Sequence, residues 1–207
     1  EELPLVRVEN QPYIHYQKGG LALYLLKDQI GADRVNEALR DLIAEFAFKP
    51  APYANPTDLI KRFRGVASPE HQQLITDLFE KITLYDVKVS DAKAKRRTDG
   101  RWDVSLEVDA RKLHADGKGK ETEAPLVEMF DVGAFTVEPG RKGYDRSSVL
   151  AVQRMPVHSG KQTLAIVTDK EPNYAGVDPF NKWIDRNSDD NVKEVTKAES
   201  LAAASRL

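Results

Sequence analysis

Residues 12–31 read PYIHYQKGGLALYLLKDQIG, and the reading of this stretch decides the fold. Tyr13, His15 and Tyr16 stand just ahead of the Gly19-Gly20 pair, and an apolar run follows. The pattern predicts a helix from Tyr16 to Ile30, apolar nearly all round and therefore buried, with Gly31 as its left-handed stop. The tandem glycines are the puzzle, because each destabilises a helix interior by about 1 kcal/mol relative to alanine. One answer is that their missing side chains let another backbone or helix come close.

Three more helices are expected downstream. Val35, Leu39, Leu42, Ile43 and Phe46 recur at helical spacing over Ala32 to Phe48, and Pro50 and Pro52 end the run. Asn55-Pro56 reads as an N-cap followed by proline at the first helical position. Leu59, Ile60 and Phe63 face inward from that helix, and Gly65 closes it. Ser68-Pro69 repeats the start signal, and Leu74, Ile75, Leu78, Phe79 and Ile82 form the apolar stripe of the fourth helix.

After Thr83 the period changes to two. Tyr85, Val87 and Val89 alternate with polar residues, and so do Trp102, Val104, Leu106 and Val108. Asp99-Gly100 between them is a hairpin signal, and Asp116-Gly117 marks a second turn. Further strands are expected over 126–137, 149–153 and 163–168. The fold expected is α+β: about four helices, then an antiparallel immunoglobulin-like β-sandwich, then an extended C-terminal tail. The divisions are 1–83, 84–172 and 173–207. In the tail, Tyr174, Phe180, Trp183 and Ile184 fall in an aperiodic stretch, which suggests a segment laid along a surface, and the Ala-rich end from Glu194 is weakly helical.

Composition narrows the chemistry. Of 207 residues, 41% are hydrophobic and 31% charged, and the net charge of −2 exerts no global pull toward nucleic acid. There is no cysteine, which removes disulfides and thiol catalysis. No apolar run reaches the roughly 18 to 20 residues of a membrane span. His15, His71, His114 and His158 are scattered, so no metal site is expected. DRNSDDN (185–191) has the opening of a calcium loop, but Asp190 stands at the glycine position and Thr196 at the closing glutamate. It reads as a solvated acidic turn. KAKRR (93–97) reads as a charged hairpin end. Composition and spacing alone reveal no catalytic set.

HYQKGGLALYLLKDQIG (15–31) resembles a stretch of the zinc aminopeptidases of the aminopeptidase N type. In that family a Tyr-x-Lys-Gly segment opens a buried helix downstream of the zinc-binding His-Glu-x-x-His helix. Tyr16-Gln17-Lys18-Gly19 matches it residue by residue. GVDPFNKWIDRNSDDNV (176–192) is similar to the C-terminal segment of a subgroup fused to permease helices of the ABC transporter kind. The resemblance implies that residues 1–83 are the C-terminal part of a thermolysin-like catalytic domain and that the β-sandwich follows it. It also implies a soluble fragment of a parent anchored in a bacterial inner membrane. Tyr16 is then the catalytic residue, a neutral donor to the oxyanion that develops on a peptide carbonyl. Tyr13 and His15 are candidate substrate-binding residues in the same cleft. Zinc belongs to the parent, whose partners are a peptide substrate and the missing zinc-bearing half. This chain lacks the zinc ligands, so alone it is expected to be inactive and to bind neither catalytic zinc nor nucleic acid. Its start without Met, on Glu1-Glu2, fits an excised piece. The alternative is a non-catalytic scaffold or protein-binding module of a transporter-associated protein, with the hairpin over 112–123 and the aromatic tail as contacts.

Overall fold

In the computed structural model, residues 2–197 are described. The fold is mixed α+β, with helices in the first part and two mostly antiparallel sheets after it. Two compact units divide the chain. The first holds the residues up to Leu84 together with Leu113–Thr122 and Lys182–Ile184, and the second holds the rest.

The helical unit opens with a 3-10 turn at Leu5–Arg7, then a π-helical turn over Tyr13–Lys18 that runs directly into α1, Gly19–Ile30. Gly31 stops α1 with φ 95° and ψ 148°, an extended conformation with positive φ rather than the compact left-handed cap expected. The expectation of an all-round buried helix is corrected. Ala22, Leu25, Leu26 and Ile30 are buried, whereas Leu21 and Tyr24 stay about half exposed. On α2, Ala32–Phe46, only Val35 and Ala38 are fully buried, and Ile43 of the predicted stripe faces solvent.

The start of α3, Pro56–Val66, forms as its sequence predicts. The Asn55 side chain accepts from the backbone N–H groups of Thr57 and Asp58, and Asp58 accepts from the backbone N–H of Asn55. Gly65 does not close this helix; it lies inside it. The fourth helical segment comes in pieces: a 3-10 turn at Pro69–His71, α4 at Gln72–Ile75, and a second π-helical turn at Thr76–Glu80. The centre of this unit is aromatic, with Phe63 and Phe79 stacked at 5.7 Å.

The period-two stretches form the longest strands, β1 at Ile82–Arg96 and β2 at Trp102–Ala115. After them come β3 at Glu121–Ala124, β4 at Val127–Phe135, β5 at Val149–His158 and β6 at Gly160–Thr168. With β7 at Tyr174–Val177, β8 at Val192–Glu194 and β9 at Thr196–Lys197, one sheet has the order β3-β2-β1-β9, with β6 also pairing β2, and the other has the order β5-β4-β7-β8. Val104 pairs with Ile166 and Leu106 with Leu164, so the apolar residues of β2 and β6 share one buried face. In the other sheet Phe130 and Val132 of β4 are buried, and Phe130 meets Tyr85 edge-on at 6.2 Å.

The tail departs from its expected form. Its extended chain does not merely lie along a surface but joins the sheets as β7 at Tyr174–Val177, β8 at Val192–Glu194 and β9 at Thr196–Lys197. Glu194 and Lys197 are strand residues, not helical ones. β9 runs parallel to β1, with Lys93 opposite Thr196. Trp183 is buried, and Lys182 donates to Asp28 at 2.6 Å within the helical unit. The short terminal helix expected beyond these residues lies outside the described part.

Candidate functional site

Tyr16 sits in the π-helical turn that precedes α1. A π turn is wider than an α turn by one residue, and such turns recur at functional sites because they re-aim a side chain without breaking the helix. Ile14 anchors this turn in the core with 1% exposure. Its neighbours point the other way, and Tyr13 is 57% and Tyr16 75% exposed. The His15 ring lies against the Tyr16 ring, with centroids 4.5 Å apart and planes tilted by 49°. Lys18 is not free to touch a ligand, since its Nζ donates to Glu2 at 2.7 Å.

Beside this turn the helical unit holds a cavity of about 320 Å³. His15 and Tyr16 contribute to its lining, Gly19 and Gly20 form part of its wall, and Leu5, Leu23, Leu59 and Phe79 supply apolar surface. The structure thus brings His15 and Tyr16 together at one cavity, while Tyr13 does not line it. The cavity was hidden from sequence reasoning because its wall residues come from separate segments of the chain.

The glycines do not serve close packing inside this chain. A Cβ on Gly19 would meet Leu5 at an ordinary 3.7 Å, and one on Gly20 would meet nothing within 4 Å. Gly133 and Gly176 are different. A Cβ on Gly133 would lie 2.5 Å from the Phe135 ring, and one on Gly176 would lie 2.6 Å from the Asn191 carbonyl oxygen. The missing side chain leaves room for the Phe135 ring at Gly133 and for the Asn191 backbone at Gly176.

The other residues singled out in the sequence serve structure. Asp185 accepts from the backbone N–H of Asn187 at 3.2 Å. Burial pushes its carboxyl above the usual range, against the backbone N–H of Asn187, the Asn191 side chain and the Val87 N–H, which favour the charged form. Its Oδ1 takes the Asn187 N–H, while Oδ2 is buried without a hydrogen-bond partner. In the basic run, Lys93 pairs with Asp91 at 2.6 Å, and Arg97 lies 3.6 Å from both Asp99 and Asp103.

His71 lies 2.8 Å from the Ser68 hydroxyl, and His114 2.9 Å from Asp77. Among the described residues no three His, Cys, Asp or Glu side chains converge to hold a metal ion. None of the described helices is long and apolar enough to cross a membrane. No protein-family model matches the chain, and no curated protein matches it.

Proposed function

We propose that this chain is the C-terminal portion of a membrane-anchored zinc aminopeptidase of the aminopeptidase N type, with Tyr16 contributing to the active site of the intact protein. The observation that carries the reading is the exposure of Tyr16. Its ring is 75% accessible on a π-helical turn, at a cavity, where a structural tyrosine would bury its ring. Tyr16-Gln17-Lys18-Gly19 adds the sequence resemblance. Among the described residues no group of three His, Cys, Asp or Glu could hold a metal ion, and this reading assigns the zinc to the half it places upstream. An immunoglobulin-like stacking of the two sheets belongs to the same reading.

The chemistry assigned to Tyr16 follows from charge development. A phenol is neutral in the ground state and gains hydrogen-bond strength as the peptide carbonyl oxygen becomes negative, so it favours the transition state over the substrate. Loss of one such donor costs about 3 to 4 kcal/mol, or roughly 10²- to 10³-fold in rate. The test is Tyr16→Phe in the protein that carries the zinc-binding helix. A fall of that size in kcat with KM little changed supports the role, and unchanged turnover on a good peptide substrate overturns it.

A second reading, a protein-binding module, draws on Val127, Met129 and Val152, which are 68%, 41% and 38% exposed on the β4–β5 pair. It is the weaker reading, because it leaves the exposed Tyr16 and its cavity without a role.

A further inference from the structure

The acidic loop over 185–191 holds buried polar groups that no described residue satisfies. Asn191 has 0% exposure, and neither its Oδ1 nor its Nδ2 has a hydrogen-bond partner. Oδ2 of Asp185 is buried and unpartnered as well. Polar atoms buried in a folded chain are nearly always bonded, because each one left bare keeps its full desolvation cost.

These groups lie together. The Asn191 side chain approaches the Asp185 carboxyl closely enough to favour its charge, and Asp190 is near enough to oppose it. Oδ1 of Asp185 accepts from the Asn187 N–H at 3.2 Å, so Oδ2 is the oxygen left open. Asp189 acts instead on the Arg141 guanidinium. Both ends of the loop are pinned by backbone. Tyr85 of β1 bridges to Asp185, and the Arg186 N–H donates to the Tyr85 carbonyl at 2.8 Å. At the other end the Val177 N–H of β7 donates to the Asn191 carbonyl at 3.0 Å. β1 and β7 belong to different sheets, so the loop passes from one to the other.

We infer that this loop is a calcium site, with Oδ2 of Asp185, the Asp190 carboxylate and Oδ1 of Asn191 as its protein ligands and water completing the shell. All three donors are hard oxygens, the class that calcium and magnesium take. Calcium accepts about six to eight oxygens in irregular geometry, whereas magnesium demands a near-ideal octahedron that a loop of this kind does not supply. The ion removes the repulsion between the two carboxylates and gives the bare Asn191 oxygen a partner. Two carboxylates are a modest charge count, so the expected Kd is about 10⁻⁴ to 10⁻³ M. The site is independent of the peptidase reading.

The test uses the full chain, stripped with EDTA, labelled with nitrogen-15 and titrated with calcium chloride and separately with magnesium chloride, at ionic strength held constant with potassium chloride. Calcium is expected to shift the Asn187 and Asp190 backbone amides and the Asn191 side-chain amide saturably and to raise the melting temperature. Magnesium is expected to bind about tenfold more weakly or worse. Asp190→Ala is expected to weaken calcium about tenfold or more, and Asp190→Asn replaces it should it fail to fold. Asp189→Ala keeps all three ligands and is expected to leave Kd within about twofold. Asp185→Asn removes a buried charge and is stable in EDTA, and its advantage over the parent is expected to shrink as calcium is added.

No saturable shift up to about 10 mM calcium, well above the expected Kd, overturns the inference. So does equal affinity for magnesium, or an Asp185→Asn advantage that calcium leaves intact. Equal losses from Asp189→Ala and Asp190→Ala overturn it too, because they show diffuse attraction to an acidic loop in place of a site.

Discussion

His114 places its Nε2 2.9 Å from Oδ1 of Asp77, a carboxylate with no solvent exposure. The same oxygen accepts from Gln73 at 3.0 Å. A buried charge is tolerated only where donors replace its hydration, and removing one donor exposes most of that desolvation cost. His114→Ala is therefore expected to lower stability by about 1 to 3 kcal/mol, read from the urea midpoint. His114→Gln, which keeps an amide donor, is expected to recover part of the loss. A midpoint unmoved by His114→Ala shows that water replaces the imidazole at no cost.

The Asp185 carboxyl gives the chain a pH dependence of known sign. Burial raises its folded pKa above the ordinary 3.8, so the folded state holds this proton to higher pH than the unfolded state does. Between the two values folding takes up a proton, and stability falls as pH rises through the window. Above it the penalty of the buried charge is fully expressed. Asp185→Asn retains an oxygen to accept from the Asn187 N–H and removes the charge. The variant is expected to exceed the parent in melting temperature at neutral pH, with the difference shrinking as pH falls toward 3.8. Taking the difference between the two curves cancels the carboxylates, such as Asp99 and Asp145, whose hydrogen bonds lower their values and act in the opposite sense. A gap that widens on acidification contradicts the assignment.

These two sites differ in how far the sequence disclosed them. DRNSDDN reads as an acidic loop, but the half-burial of Asp185 is not legible in it, because that depends on Tyr85 of β1 bridging to it. Nothing marked Asp77 for burial except its place among Leu74, Ile75, Leu78 and Phe79. The long strands were legible because one-sided burial imposes a period of two, and β1 and β2 are long enough to display it. β7, β8 and β9 have four, three and two residues, too few for any period. They are fixed by pairing with distant chain, such as Phe135 with Tyr174 and Lys93 with Thr196. The π turn at Tyr16 was illegible for another reason: it uses the same residues as an α turn and differs only in hydrogen-bond spacing. Tyr16 stands out in the sequence only through the family resemblance.

Gly133 tests the packing of the second sheet. Its missing side chain is where the Phe135 ring lies, and that ring also meets Tyr144 at 6.3 Å and Phe180 at 6.0 Å. Adding a methyl group at 2.5 Å from the ring forces the aromatic cluster outward. Gly133→Ala is expected to cost about 1 to 3 kcal/mol as an overpacking change, despite alanine's better backbone entropy. Unchanged stability shows that the ring swings aside freely, and a shift of the Phe180 resonances reports the displacement directly.

Gly20→Ala makes the opposite case with the same substitution. Its Cβ enters open space and the backbone is already helical, so the substitution relieves the entropy cost of glycine and strains nothing. A gain of about 0.5 to 1 kcal/mol is expected, measured by thermal or urea unfolding. Tyr16→Phe is the companion variant. Its hydroxyl lies on an exposed ring, so stability is expected to change by less than about 0.5 kcal/mol. Neither the open space at Gly20 nor the exposed ring of Tyr16 contributes packing to the fold. If Gly20→Ala destabilises instead, a contact to the new methyl group outweighs the gain in backbone entropy.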